Sequence, residues 1–259
     1  MNPIITLTTD LGTKDYYSAA LKGKILSNVP SANLVDVSHQ ANQFDPFHGA
    51  IILNQSFRFF PNNTVHLLFL GNSGKEKYPL LVAKFQQHYF IGFDNGSFSR
   101  IFDVVPDWVH TIELESLEFA NSFSALHSLG YVLKTLIESN FEEIPGTKKP
   151  DIFRRQSFGG YATPDMINGV IIYIDSFENA ITDIHREQFY NVGKNRNFSL
   201  HLKQYTVNKI NKFYDDYSST DLIVLFNNLG FLELSLNKAK AASLLNLKIN
   251  DNIKIHFDD

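Results

Sequence analysis

No cysteine occurs among the 259 residues, which excludes disulfides, thiolate nucleophiles and cysteine metal sites together. A chain without cysteine fits a reducing cytoplasm. No apolar run reaches the ~18 residues of a membrane span, and Met1-Asn2-Pro3 opens no signal peptide, so a cytoplasmic protein with no membrane partner is expected. Positive charge is not in excess either. Against 27 acidic residues stand 23 Lys and Arg, a net charge of −4 with no basic stripe, so nucleic acid is not an expected partner. The nine histidines form no His-x-x-x-His pair and no triad with carboxylates, so no metal site is expected. A Gly-x-Ser-x-Gly nucleophile elbow is missing too.

What the chain has in quantity is aromatic: 23 Phe and 11 Tyr. Most belong in a core, and the surplus supplies rings for stacking on a flat ligand. The length allows one large domain or two modest ones, burying roughly three quarters of the unfolded surface.

Strands and helices alternate in the first half. Residues 4–7, 33–37, 65–70, 80–85 and 89–91 read as strands. Helical spacing joins Tyr17, Ala20, Leu21 and Ile25, then Phe47, Ala50, Ile51, Asn54 and Phe57, then Leu126, Leu129, Leu133 and Leu136. That order predicts an α/β class: an N-terminal α/β/α domain, residues 1–155, with a mainly parallel sheet covered on both faces. After Ile144-Pro145-Gly146 the pattern changes to short strands, 169–174, 179–184, 198–202, 222–226 and 231–236, with one helix at 238–245. A small C-terminal β-barrel domain over residues 165–259 is expected, the join falling between Pro145 and Asn168.

The segment Thr8-Thr9-Asp10-Leu11-Gly12-Thr13-Lys14-Asp15 ends a strand and opens a helix. Carboxylates and free N–H groups at the carboxyl edge of an open sheet mark a ligand site, and carboxylates suit vicinal hydroxyls better than phosphate. The same residues also read as an N-cap, Asp15, and a turn residue, Asp10. Gly71-Asn72-Ser73-Gly74-Lys75-Glu76 is not a phosphate loop, because its glycines are three apart and Glu76 follows the lysine. Asp94-Asn95-Gly96 and Asn227-Asn228-Leu229-Gly230 read as turns with amides to offer. Asp175-Ser176-Phe177-Glu178-Asn179 reads either as a plain hairpin or as a carboxylate, a ring and an amide presented together; Asn both donates to and accepts from an adenine edge.

Taken in order, these segments resemble the S-adenosylmethionine hydrolases (adenosine-forming), or SAM hydroxide adenosyltransferases, relatives of fluorinase and chlorinase. The segments that carry the likeness are Thr8 to Gly12 with Asp15, Val35-Asp36-Val37-Ser38-His39, Phe44-Asp45 with Gly49-Ala50, Tyr89 to Gly92 with Asp94-Asn95-Gly96, Ile174 to Phe177 with Asn179, and Phe226-Asn227-Asn228 with Gly230, Leu232-Glu233 and Asn237. The resemblance implies a homotrimer with inter-subunit sites and S-adenosylmethionine or adenosine as ligand, with no separate cofactor. It implies that Asp10 holds the ribose hydroxyls, Phe44 packs on the ligand, Asp175 meets the methionine amino group, Phe177 and Asn179 take the adenine, and Asp94, Asn95 and Asn228 join the binding set. The implied reaction is attack of water at ribose C5′, releasing adenosine and methionine.

The water-orienting groups depart from the family pattern. Gly71 falls where the family has Asp, Lys77 roughly where it has Arg, and Ala120 at or near its His. Lys77 is the candidate catalytic cation, with Lys75 beside it, and His39 or His127 could approach. A degenerate relative that binds without turnover is the alternative. A phosphate-ester hydrolase using Asp10 lacks the Asp-x-Asp pair, since residue 12 is Gly, and nothing visible builds a halide pocket.

Overall fold

Six residues, Ile4–Thr9, form strand β1 at the heart of the N-terminal sheet. It runs parallel to β2 (Asn33–Ser38) on one side and to β3 (Val65–Phe69) on the other. Helix α1 (Tyr17–Asn28) joins β1 to β2, and α2 (Pro46–Asn54) joins β2 to β3. The computed structural model describes residues 2–71, 78–112, 124–154, 160–214 and 221–258, and the side chains of all of these except 124–127. The chain divides into two compact units, Met1–Arg155 and Gln156–Asp259.

In the first unit the strand order is β2-β1-β3-β5-β4-β6-β7, with β4 at Leu80–Phe85, β5 at His88–Phe93, β6 at Trp108–Ile112 and β7 at Thr147–Lys149. The expected mainly parallel sheet is instead mixed. Parallel pairing runs from β2 through β5, whereas β5–β4, β4–β6 and β6–β7 are antiparallel. The cause is local: Gln86 and Gln87, both at positive φ (49° and 63°), close β4 onto β5 as a tight hairpin, leaving no room for a crossover helix.

Two cores flank the sheet. On one face Leu21 and Ile25 of α1, and Leu129, Leu133 and Leu136 of α3 (Ser124–Glu138), cover Ile5, Leu7, Val65 and Leu67. On the other, Leu53 and the rings of Phe57, Phe90, Phe98 and Phe102 lie against Leu68 and Leu70. Those four phenylalanines are essentially fully buried, each stabilising the fold by ~2–3 kcal/mol, so this unit needs no covalent staple. Helix α2 starts at Pro46 behind Asp45, whose carboxylate accepts from Phe47 N (3.1 Å) and His48 N (3.3 Å). Helix α1 has no such cap: its N-cap residue is Tyr16, whose side chain makes no capping bond, and Asp15 is not its N-cap.

The second unit is an antiparallel, nearly closed barrel in the order β12-β11-β15-β9-β10-β14-β13, with β8 (Tyr161–Ala162) on β9. Its strands are β9 Met166–Ile174, β10 Ala180–His185, β11 Phe198–Leu202, β12 Tyr205–Val207, β13 Leu222–Phe226, β14 Phe231–Leu236 and β15 Asn252–Phe257. Asn211, four residues past β12, donates its N–H to Val224 O on β13 (2.6 Å) and so approaches closure. Helix α4 (Arg186–Gly193) interrupts the strands, and the helix expected at 238–245 is the single turn α5, Ala241–Leu244. Strand β14 is buried on both faces: Glu233 and Ser235 are buried along with Leu232 and Leu234. Among the described residues no helix is long and apolar enough to cross a membrane.

A buried relay crosses β1, β3 and β5. Thr6 Oγ1 lies 2.7 Å from His66 Nδ1, and His66 Nε2 lies 3.1 Å from His88 Nδ1. Burial, helped by the neighbouring His88, pushes His66 down to about 3. The folded state therefore refuses a proton that the unfolded chain accepts below its ordinary value of 6.5. Stability from this group is complete above that pH and drains away as pH falls toward 3, at ~1.4 kcal/mol per pH unit. Urea midpoints measured between pH 7 and pH 4.5 should fall accordingly, and His66→Gln should flatten the slope by about one proton. Gly92 gives a second expectation, because a Cβ there would sit 2.6 Å from Leu68 O and 3.1 Å from the Phe98 ring. Gly92→Ala should cost about 2 kcal/mol or more in the same measurement.

Candidate functional site

Strands β1 and β3 are neighbours, yet the chain leaves β1 for β2 on one side before returning to β3 on the other. That reversal opens a crevice at the carboxyl ends of β1 and β3, the place where open α/β sheets bind ligands. Asp10 follows β1 at this point and Gly71 lies just past β3. The Gly71 N–H donates to Asp10 Oδ2 at 2.9 Å, spanning the crevice floor. Gly71 holds φ +66°, which a side chain would strain. Burial pushes the Asp10 carboxyl up from its ordinary value, while the N–H groups of Gly71, Asp10 itself and Phe44 oppose that rise. The carboxylate thus has firm backbone donors and remaining lone pairs to offer.

Phe44 is 80 % exposed, and its backbone sits in the left-handed region at φ 62°. An aromatic residue there is an outlier that surrounding structure must enforce, and the bond from its N–H to Asp10 is part of that enforcement. Behind Asp10, Thr9 Oγ1 lies 2.8 Å from His39 Nδ1, and His39 Nε2 approaches Asp36 Oδ1 to 3.1 Å. The His39 carbonyl accepts from Gly12 N at 2.7 Å. His39 therefore braces the loop from below.

Asp94 and Asn95 follow β5, next along the same edge. Asn95 is buried; its Nδ2 donates to Leu70 O (3.1 Å) and its Oδ1 accepts from Ser97 N (3.1 Å). It props the Leu70–Gly71 turn that carries the Asp10 bond. Asp94 is 3 % exposed, with Oδ2 paired to the Lys149 ammonium and Oδ1 accepting from Phe153 N at 2.7 Å. Both side chains, implied as ligand contacts by the resemblance, make these bonds within the unit, as buried polar atoms require partners. Lys75, Lys77 and Ala120 lie outside the described residues, as does the side chain of His127.

In the second unit the β9–β10 hairpin carries Asp175, Phe177 and Asn179 together. Asp175 Oδ1 accepts from Phe177 N (2.9 Å) and Asn179 N (2.8 Å), and Oδ2 accepts from Asn179 Nδ2 (3.0 Å). Beside them Glu178, at φ 64°, ties the apex to α5: its carbonyl accepts from Ala242 N, and its carboxylate accepts from Ser243 N and Lys240 Nζ. On this braced apex Phe177 stands 76 % exposed. Glu233 lies nearby, accepting from the Tyr214 hydroxyl at 2.9 Å; burial pushes it up, and the Asp175 charge adds to the rise. Two carboxylates under one hairpin make a negative field suited to a cation.

Asn228 is not brought to this group. Strand β10 runs antiparallel to β14 with Ala180 opposite Leu234 and His185 opposite Phe231. The 227–230 turn therefore lies at the other end of the strands from Asp175, and Asn228 is exposed there. Its neighbour Asn227 locks the turn, accepting from Leu229 N and Phe231 N. The sequence reading missed Glu178 and Ser235, whose only sign was a charged and a small polar residue beside strands of apolar ones. Among the described residues no cluster of three or more His, Cys, Asp or Glu could hold a metal.

Comparisons with known proteins agree on one family. Residues 5–137 match the model of the SAM hydroxide adenosyltransferase N-terminal domain, and residues 169–254 that of its C-terminal domain. The chain is 28 % identical to an (R)-S-adenosyl-L-methionine hydrolase of Methanocaldococcus jannaschii, covering 98 % of this chain and 96 % of that protein. It is 24 % identical to a fluorinase of an Actinoplanes species, covering 95 % of each. A crystal structure of an uncharacterised conserved protein from Thermotoga maritima shares the fold, with a TM-score of 0.79 at 21 % identity over 98 % of this chain and 99 % of that one. With both domain models matched along most of its length, the chain belongs to the SAM hydroxide adenosyltransferase family.

Proposed function

We propose that this protein hydrolyses S-adenosyl-L-methionine to adenosine and L-methionine. The observation that carries the reading is the Asp10 carboxylate at the crevice between β1 and β3, fixed by the Gly71 N–H and approached by the backbone N–H of Phe44, whose side chain is exposed. A half-buried carboxylate with unspent lone pairs accepts two vicinal hydroxyls as charge-assisted bonds, which is what a ribose offers. The hairpin supplies the complementary half: Asp175 for an ammonium, Phe177 for an aromatic face, Asn179 for a base edge. The substrate carries positive charge at sulfur and at its amino nitrogen against a single carboxylate, and the Asp175 carboxylate suits the amino end.

In the step itself a water oxygen forms a bond to C5′ in line with the C5′–S bond. That bond breaks with its electron pair going to sulfur, which becomes the neutral thioether of methionine, and the attacking water loses a proton to solvent or a nearby base. The sulfonium leaves without protonation, so the protein's contribution is orientation and exclusion of bulk water. Lys77 is the cation we assign to orienting the water. The proposed assembly is a homotrimer in which neighbouring protomers share each site, in a cytoplasmic setting. Asp94 and Asn95 act in this reading as supports of the Asp10 turn, and Asn228 stands apart from the ligand set.

One observation favours a second reading, binding without turnover. At the position where the resemblance places a water-orienting Asp stands Gly71, and its one polar donor is already engaged with Asp10.

Purified protein given millimolar S-adenosylmethionine, each sulfonium epimer separately, should release adenosine and methionine in equal amounts without added divalent metal. Tight calorimetric binding with no product would establish the second reading. Asp10→Ala should weaken adenosine binding on the order of 100-fold, the loss of two charge-assisted bonds. Because burial raises the Asp10 carboxyl, binding should also weaken with falling pH sooner than an ordinary carboxylate would dictate, and Asp10→Asn should remove that dependence.

A further inference from the structure

Ser235 is a hydroxyl buried to 1 % exposure in a strand buried on both faces, where it shares its face with Phe231 and Glu233 and backs onto leucines. Packing does not require the oxygen, since alanine would fill nearly the same space, and burying an unpaired hydroxyl is unfavourable. The oxygen has one clear partner: Ser235 Oγ donates to Asn179 Oδ1 at 2.6 Å. At its other end the same amide donates from Nδ2 to Asp175 Oδ2 at 3.0 Å. An ionised carboxylate only accepts, so it selects the nitrogen, and the serine hydroxyl then tethers the oxygen at the other end. Turning the amide over would set oxygen against carboxylate, so the serine adds a second anchor to an orientation the carboxylate chooses.

We propose that Ser235 is a positioning residue: it holds the Asn179 amide in one orientation and thereby makes the site prefer a 6-aminopurine to a 6-oxopurine. The proposal rests on the reading of Asn179 as the base contact. With one hydrogen of Nδ2 given to Asp175 and one lone pair of Oδ1 given to Ser235, the amide keeps one donor and one acceptor. A 6-amino group with its adjacent ring nitrogen matches that pair as donor and acceptor. A 6-oxo group instead turns an acceptor toward Oδ1, leaving two lone pairs face to face. Without the serine proton the amide is held at the nitrogen end alone and swings to meet either base.

The test is calorimetric titration of adenosine and of inosine into the wild-type protein, Ser235→Ala and Ser235→Thr. Wild type should bind adenosine at least about 30-fold more tightly than inosine, as sites built around hydrogen bonds discriminate. In Ser235→Ala that ratio should collapse to within a few-fold, chiefly through gained inosine binding or lost adenosine binding, and Ser235→Thr should restore it. A purely structural role would weaken both nucleosides alike and leave the ratio unchanged, which would overturn the proposal. Wild type that binds adenosine without preferring it to inosine would also overturn it, leaving the adenosyl reading intact. Wild type that binds neither would sink both.

Discussion

The bond from the Gly71 N–H to the Asp10 carboxylate is the constraint on which the N-terminal site depends. It joins the ends of two strands that the chain reaches by opposite routes, and it exists only because several other groups hold their places. Asn95 fixes the carbonyl before Gly71; His39 fixes the turn after Asp10; Phe44 adds its own N–H. Each support is buried or backbone-borne, so the carboxylate is presented by a rigid frame rather than by a mobile loop. Such preorganisation lets a binding group meet its ligand without the cost of first ordering itself.

The barrel unit solves the same problem with a different device. A five-residue apex is laced by one aspartate into three hydrogen bonds and pinned to a neighbouring helical turn through Glu178. The ring at its tip is thereby exposed without being free to wander.

Much of this could be read from residues alone, and the gaps have physical causes. Alternation and short apolar runs located β1 through β5 and most barrel strands, since those segments bury faces with a strand's period. Strand β15 alternates just as regularly, with Ile253, Ile255 and Phe257 buried, and was legible but passed over. Helix α4 was not: only Phe189 and Gly193 of it are buried, too little for a 3.6-residue pattern. The direction of β4 escaped because it hangs on two glutamines taking positive φ, which their side chains do not advertise. At the candidate site, Asp10, Phe44, Asp175, Phe177 and Asn179 stand out as residue types in the sequence, whereas the inward commitment of Asp94 depends on Lys149 and Phe153, more than fifty positions away.

The backbone of Phe44 carries a wider consequence. A glycine would relax into that left-handed geometry with no steric penalty, so the fold would gain stability by giving up the benzyl group. The chain thus carries a strained backbone position together with a greasy surface held in the open. Proteins maintain such debts where something outside the chain comes to rest on them.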